Sequence, residues 1–154
     1  MIDVNAVVTA ANRLNEEKDE EALLVQIGLR EQAIKADPER QNDPNLDVVY
    51  AETTMGPLDE LKRIGKRIAN RWSKELHGLA CGNESKCAKE REALLNSLNL
   101  GEAAVIAAVV TALISLGVGA AIAAPLAPLI VHKFIWPAKD ELCLAWGEAL
   151  EDNK

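Results

Sequence analysis

Aromatic side chains are nearly missing from this chain. Of its 154 residues only Phe134, Tyr50 and three tryptophans are aromatic, while alanine is plentiful. Sheet cores favour β-branched and aromatic residues, and alanine is the best helix former. The composition favours an all-α protein over a sheet-built core.

Catalytic signatures are missing too. There are two histidines, His77 and His132, and neither adjoins a recognisable nucleophile. No glycine-rich phosphate loop or paired-carboxylate motif appears. The acidic pairs Glu16-Glu17, Glu20-Glu21 and Asp140-Glu141 read as solvated helix ends. The expectation is a protein that is not an enzyme and needs no cofactor.

A basic domain is absent. Residues 1–55 hold twelve acids and five bases, residues 56–101 six acids and nine bases, and residues 102–154 six acids and three bases. An acidic front with a modestly basic middle is not the footprint of a nucleic-acid binder, so no nucleic-acid partner is expected.

Met1-Ile2-Asp3 shows neither a charged leader nor a following apolar segment, and three cysteines are an odd number. Both point to a reducing compartment, where a Cys81–Cys87 bridge is sterically allowed but not expected. His77 and Cys81, with Cys87 and either Cys143 or His132, make a conceivable zinc set. Cys-x5-Cys is a poor zinc spacing, however, and no metal is assigned.

Helical signals cover most of the chain. Asp3 is a plausible N-cap before Val4, Val7, Val8, Ala11 and Leu14. A second helix runs from about Asp19 to Ala36 on a narrow stripe of Leu23, Ile27 and Ile34, joined by the stem of Arg30, and Asp37-Pro38 stops it. Residues 37–57, with three prolines, form an irregular loop in which Leu46, Val48 and Tyr50 alternate without a partner strand.

Pro57 opens the clearest amphipathic helix, with Leu58, Leu61, Ile68, Trp72, Leu76 and Leu79 on one side. Lys62, Arg63, Lys66, Arg67, Arg71 and Lys74 occupy much of the other, and Gly82 ends it. Ser85 caps a further helix through Leu94 and Leu98 to Gly101. A last helix follows Pro137, with Ala138, Leu142, Ala145, Trp146 and Leu150 inward.

Between them lies the decisive stretch. From Ala103 to Val131 there is no ionisable side chain. Ala103–Ala124 as one helix is roughly 33 Å long, enough for a hydrocarbon core of about 30 Å. Its alanines make it a marginal span, with nine strongly apolar residues contributing only about −3 to −5 kcal/mol on an insertion scale. Thr111, Ser115, Gly119 and Ala123 lie four apart on one face, and Ala104, Ala108 and Ala112 lie beside them. Membrane helices associate through such small residues, and a crowded bundle helix needs them too. Lys133 and Trp136 stand where an interfacial belt belongs, and Trp72 would sit among headgroups if the basic helix lay on a membrane. Gly117-Val118-Gly119 also permits a turn, giving a hydrophobic hairpin sheltered in a bundle. One tilted or kinked helix is the simpler expectation.

The expected fold is therefore an all-α bundle of about five or six helices around one very hydrophobic helix, 103–124, which either inserts in a membrane or forms the buried centre. An acidic helical segment, 1–55, with its loop 37–57, precedes a bundle or membrane-active region, 57–154. The expected function is a small membrane-active protein, an oligomerising or pore-forming effector of bacterial type. It would use membrane lipid or a protein as partner, associate with itself, and reside at the cytoplasmic face of a membrane or in an inner membrane. The rival is a soluble, cytoplasmic all-helical interaction module, adaptor or regulator, with its hydrophobic helix fully buried.

Overall fold

Seven α-helices and no strand are found among the residues that the computed structural model describes, which are 3–48, 50, 51, 53, 56–82, 88–138 and 141–152. Helix α1 (Val4–Glu17) starts at Asp3, whose carboxylate accepts from the N–H groups of Asn5 at 3.1 Å and Ala6 at 3.4 Å. Helix α2 (Glu20–Ala36) is capped by Asp19, which accepts from Ala22 N–H at 2.8 Å. Glu20 and Glu21 occupy its first turn, where the helix dipole favours carboxylates. Pro38–Asn42 then makes a 3-10 turn. The loop beyond it forms no strand at its described positions. Leu46 instead turns inward onto Ala33 and Ala121.

Helix α3 (Leu58–Cys81) follows Pro57 as its sequence requires, and α4 (Ala88–Ser97) comes after it. The expected cap of α4, Ser85, lies outside the described residues, as does Cys87. Helices α2 and α3 cross at a pair of glycines. A Cβ on Gly28 would lie 2.4 Å from the Leu61 carbonyl oxygen, and one on Gly65 would lie 2.2 Å from that of Leu24. Each glycine thus admits the backbone of the other helix.

The single helix expected over 103–124 does not form. The apolar stretch is two helices, α5 (Glu102–Ser115) and α6 (Ala120–Ile130), joined by a tight turn. Gly117 is the cause. Its φ of +100° lies in the left-handed region that only glycine enters readily. Gly117 N–H then bonds to Ile114 O and Val118 N–H to Leu113 O, both at 3.0 Å, which satisfies carbonyls at the end of α5. Val118 and Leu113, brought together by that turn, are both buried.

Pro125 and Pro128 sit inside α6 without ending it. The helix widens into a π turn, Val131–Ile135, closed by Trp136 N–H to Val131 O at 2.7 Å. Helix α7 (Leu142–Asp152) begins later than Pro137 suggests, with Ala138, Leu142, Trp146 and Leu150 buried as expected.

The centre of the molecule is α6, not the whole apolar stretch. All eleven of its residues are buried, with α1, α2 and α5 packed around it, α3 touching it and the 3-10 turn over one end. Val7, Leu14, Leu23 and Ile27 from the acidic segment share one core with Leu113, Leu126, Phe134 and Trp146. Among the described residues no helix is long and apolar enough to cross a membrane.

Candidate functional site

The uncharged run 103–131 is bracketed by Glu102 and His132, and the hairpin brings these two side chains together. His132 Nε2 lies 2.8 Å from Glu102 Oε1 and also against Asn15 Oδ1. Both neighbours are acceptors, so Nε2 carries the proton. The Asn15 amide closes the set by donating to Glu102 Oε1 at 3.2 Å. Next to it Lys133 Nζ pairs with Glu20 at 3.6 Å. The open end of the hairpin is therefore tied to α1 and to the start of α2 by polar contacts.

The second arm is held from within. Helix interiors bond each carbonyl to the N–H four residues on, and proline has none. Pro125 therefore leaves the Ala121 carbonyl without an in-helix donor. Arg30, 3% exposed on α2, supplies one from Nη1 at 2.9 Å, and the same nitrogen reaches Pro44 O at 2.9 Å. Loss of water around the guanidinium lowers its pKa to about 10, with Asp43 acting against that shift. It stays charged near neutral pH. One side chain thus ties α2, the loop after the 3-10 turn and the hydrophobic hairpin.

The residues expected to mediate helix association divide between two surfaces. Ala104 and Ala108 are half-buried and Thr111 and Ser115 exposed, all on the outer side of α5. Thr111 Oγ1 turns back to donate to Ala107 O at 3.0 Å. Ala112 and Ala123 are buried. Gly119 caps α6 and abuts the 3-10 turn, where an added Cβ would lie 2.7 Å from Gln41 O. The stripe Thr111–Ser115–Gly119–Ala123 is therefore not one face, because the turn cuts it.

The expected interfacial residues mark opposite ends of the hairpin. Trp72 stands at the tip, half-buried, with the Arg71 guanidinium 4.8 Å above its ring. There it helps line a cavity of about 220 Å³ together with Ile34, Ile68, Gly117, Val118 and Ile122. Lys133 and Trp136 stand at the base, Trp136 half-buried against the core.

The thiols are arranged differently from either sequence-level option. Cys81, the last residue of α3, is bonded to Cys143 in α7, with Cα atoms 5.7 Å apart. Neither sulfur is then a free thiolate, and His77 Nε2 is engaged 2.9 Å from Cys143 O. Three members of the conceivable zinc set, His77, Cys81 and Cys143, are thus neighbours, but the disulfide occupies both sulfurs; His132 lies apart at the hairpin base and Cys87 outside the described residues. Among the described residues there is no group of three or more side chains placed to hold a metal ion. Closing a loop across 62 residues stabilises by about 4 kcal/mol in the chain-entropy picture.

Sequence reasoning missed the Arg30 tie and the Glu102–His132–Asn15 closure. Signals for both were present: a proline within an apolar helix strands an acceptor, and the two ionisable residues nearest a folded-back run must meet. No family model, curated protein or solved structure matches this chain.

Proposed function

We propose that this is a small membrane-active protein, an oligomerising effector that carries a hydrophobic helical hairpin in a folded bundle and delivers it to lipid. The observation that carries the reading is the outer side of α5. A surface helix of a water-soluble bundle ordinarily turns charged residues outward. Helix α5 turns out Ala103, Thr111 and Ser115, flanked by half-buried Ala104, Ala107 and Ala108, and after Glu102 it has no charge at all. That surface suits close approach of a second apolar helix, the mode by which helices associate in lipid.

Two further features support it. Arg63, Lys66, Arg67, Arg71 and Lys74 are exposed on α3, a surface that fits anionic headgroups. Aromatic and basic residues stand at both ends of the hairpin. As folded, the fourteen residues of α5 reach only about 21 Å, short of a hydrocarbon core. Crossing would require the turn at Gly117 to open and the arms to join; pore formation would follow from self-association of that longer element.

Flotation of the purified protein with vesicles containing phosphatidylglycerol, with release of a trapped dye, tests the reading. Co-flotation with release is expected. Protein that stays monodisperse and helical beside intact vesicles overturns it. The second reading would then hold: an all-helical interaction module, favoured by the burial of every residue of α6, with the uncharged face of α5 receiving a protein partner.

A further inference from the structure

Resting on the membrane reading for its purpose, we propose that the Cys81–Cys143 disulfide is a thiol-controlled latch that holds α7 over the base of the hydrophobic hairpin. Helix α7 packs against α3 and against the π turn Val131–Ile135, which ends the second arm. Val131, Phe134 and Ile135 of that turn and Leu76 and Leu79 of α3 are all buried. The disulfide joins the last residue of α3 to the second residue of α7, so one covalent bond fixes α7 where it begins.

The remaining hold on α7 is limited. Eleven residues are too few to persist as a helix in water without packing. Its chief anchor, Trp146, is fully buried, but the indole Nε1–H has no hydrogen-bond partner. Burying a donor without an acceptor offsets part of what the ring gains. His77 adds an edge-on contact to that ring at 5.2 Å and its bond to Cys143 O. Without the covalent bond, α7 rests chiefly on the buried side chains of Leu142, Trp146 and Leu150.

The bond is placed where chemistry can reach it. Cys143 is exposed and Cys81 half-buried. A thiolate of a small or protein dithiol attacks Cys143 Sγ, the sulfur–sulfur bond breaks, and Cys81 leaves as a thiolate. The second thiol of the reductant then attacks the mixed disulfide, closing its own disulfide and releasing Cys143. Two electrons pass from the dithiol to the cystine, and the two protons of the dithiol end on the cysteines. The protein keeps its bundle and loses the cover over the hairpin base.

Hydrogen exchange of the full chain carrying Cys87→Ser, which removes the third thiol, tests the latch with and without dithiothreitol. Reduction is expected to speed exchange across 142–152 by about ten-fold or more, reversibly on reoxidation, while α1 and α6 stay protected. Cys81→Ser/Cys143→Ser should match the reduced protein with no reductant present. Unchanged exchange in α7 overturns the latch, and so does loss of protection throughout, which would make the disulfide a global staple. Dye release from phosphatidylglycerol vesicles separates the two ideas. Release confined to the reduced form supports both. Equal release in both redox states overturns the latch and leaves the membrane reading standing. An α7 that loosens on reduction beside intact vesicles supports the latch and overturns the membrane reading.

Discussion

Arg30 Nη1 lies 2.9 Å from the Ala121 carbonyl, the acceptor that Pro125 leaves without a donor in its own helix. A buried cation and a proline in an apolar helix are each costly alone, and here each answers the other. The guanidinium finds a carbonyl that no N–H competes for, and the carbonyl is not left bare in the core. Arg30→Met keeps the bulk but strands the Ala121 and Pro44 carbonyls, so unfolding free energy should fall by about 2–4 kcal/mol. Pro125→Ala restores a helical donor to Ala121. In that background Arg30→Met should cost about 1–2 kcal/mol less, a coupling that a double-mutant cycle in urea reads directly. Strict additivity would show that the two residues do not act on one carbonyl.

The glycine crossing of α2 and α3 shows how a helix with a narrow apolar stripe packs closely: Gly28 and Gly65 let the two backbones touch. Gly28→Ala or Gly65→Ala forces the helices apart, and either should cost about 1–3 kcal/mol in chemical denaturation. The double variant should cost little more than the worse single one, because one separation relieves both clashes.

Much of the fold was legible because its signals are local. Asp3, Asp19 and Pro57 start helices by satisfying or dispensing with free N–H groups within a turn, and Asp37-Pro38 ends one by steric conflict. What the chain does over long range was not. Cys81 and Cys143 meet across 62 residues, and nothing near either cysteine specifies that pairing. The small-residue stripe is one face only on a straight helix; with the turn at Gly117, Ala112 and Ala123 are buried, Gly119 abuts the 3-10 turn, and Ala104, Ala108, Thr111 and Ser115 stay on the outer side of α5. Leu46, read as a member of an alternating run, is a plug over Ala33 and Ala121, a role set by tertiary space rather than by period.

Glu102→Gln probes the base of the hairpin. The pair with His132 is more than a third exposed on both sides, so its removal should lower stability by no more than about 1 kcal/mol. On the membrane reading its effect on function should be larger in proportion, since this contact joins the two arms at the open end of the hairpin. Vesicle dye release by Glu102→Gln should begin at lower protein concentration than for the unaltered chain. A release curve that does not move would mean that the polar base plays no part in restraining the hairpin.

Ser115→Leu and Thr111→Leu test self-association without disturbing the core, because both side chains already face outward. Gly119→Leu is the wrong probe, since it would drive a side chain into Gln41 and damage the fold. Cross-linking in vesicles should show about ten-fold less oligomer for the double leucine variant if the outer face of α5 brings copies together through small residues. Unchanged oligomer would move the contact elsewhere.

Gly117→Ala addresses the turn on which the whole arrangement depends. A side chain at φ +100° costs about 1–2 kcal/mol, so the folded bundle should lose that much stability. Alanine is also a far better helix former than glycine, by about 1 kcal/mol, and α5 ends at Ser115 and α6 begins at Ala120, close on either side. The substitution therefore weakens the hairpin and strengthens the straight alternative at the same position. Circular dichroism in vesicles should show more helix for Gly117→Ala than for the unaltered chain, together with stronger membrane association. In water the variant should unfold earlier in urea. If it binds vesicles no better while losing stability as expected, the hairpin is a fixed core and does not straighten at a membrane.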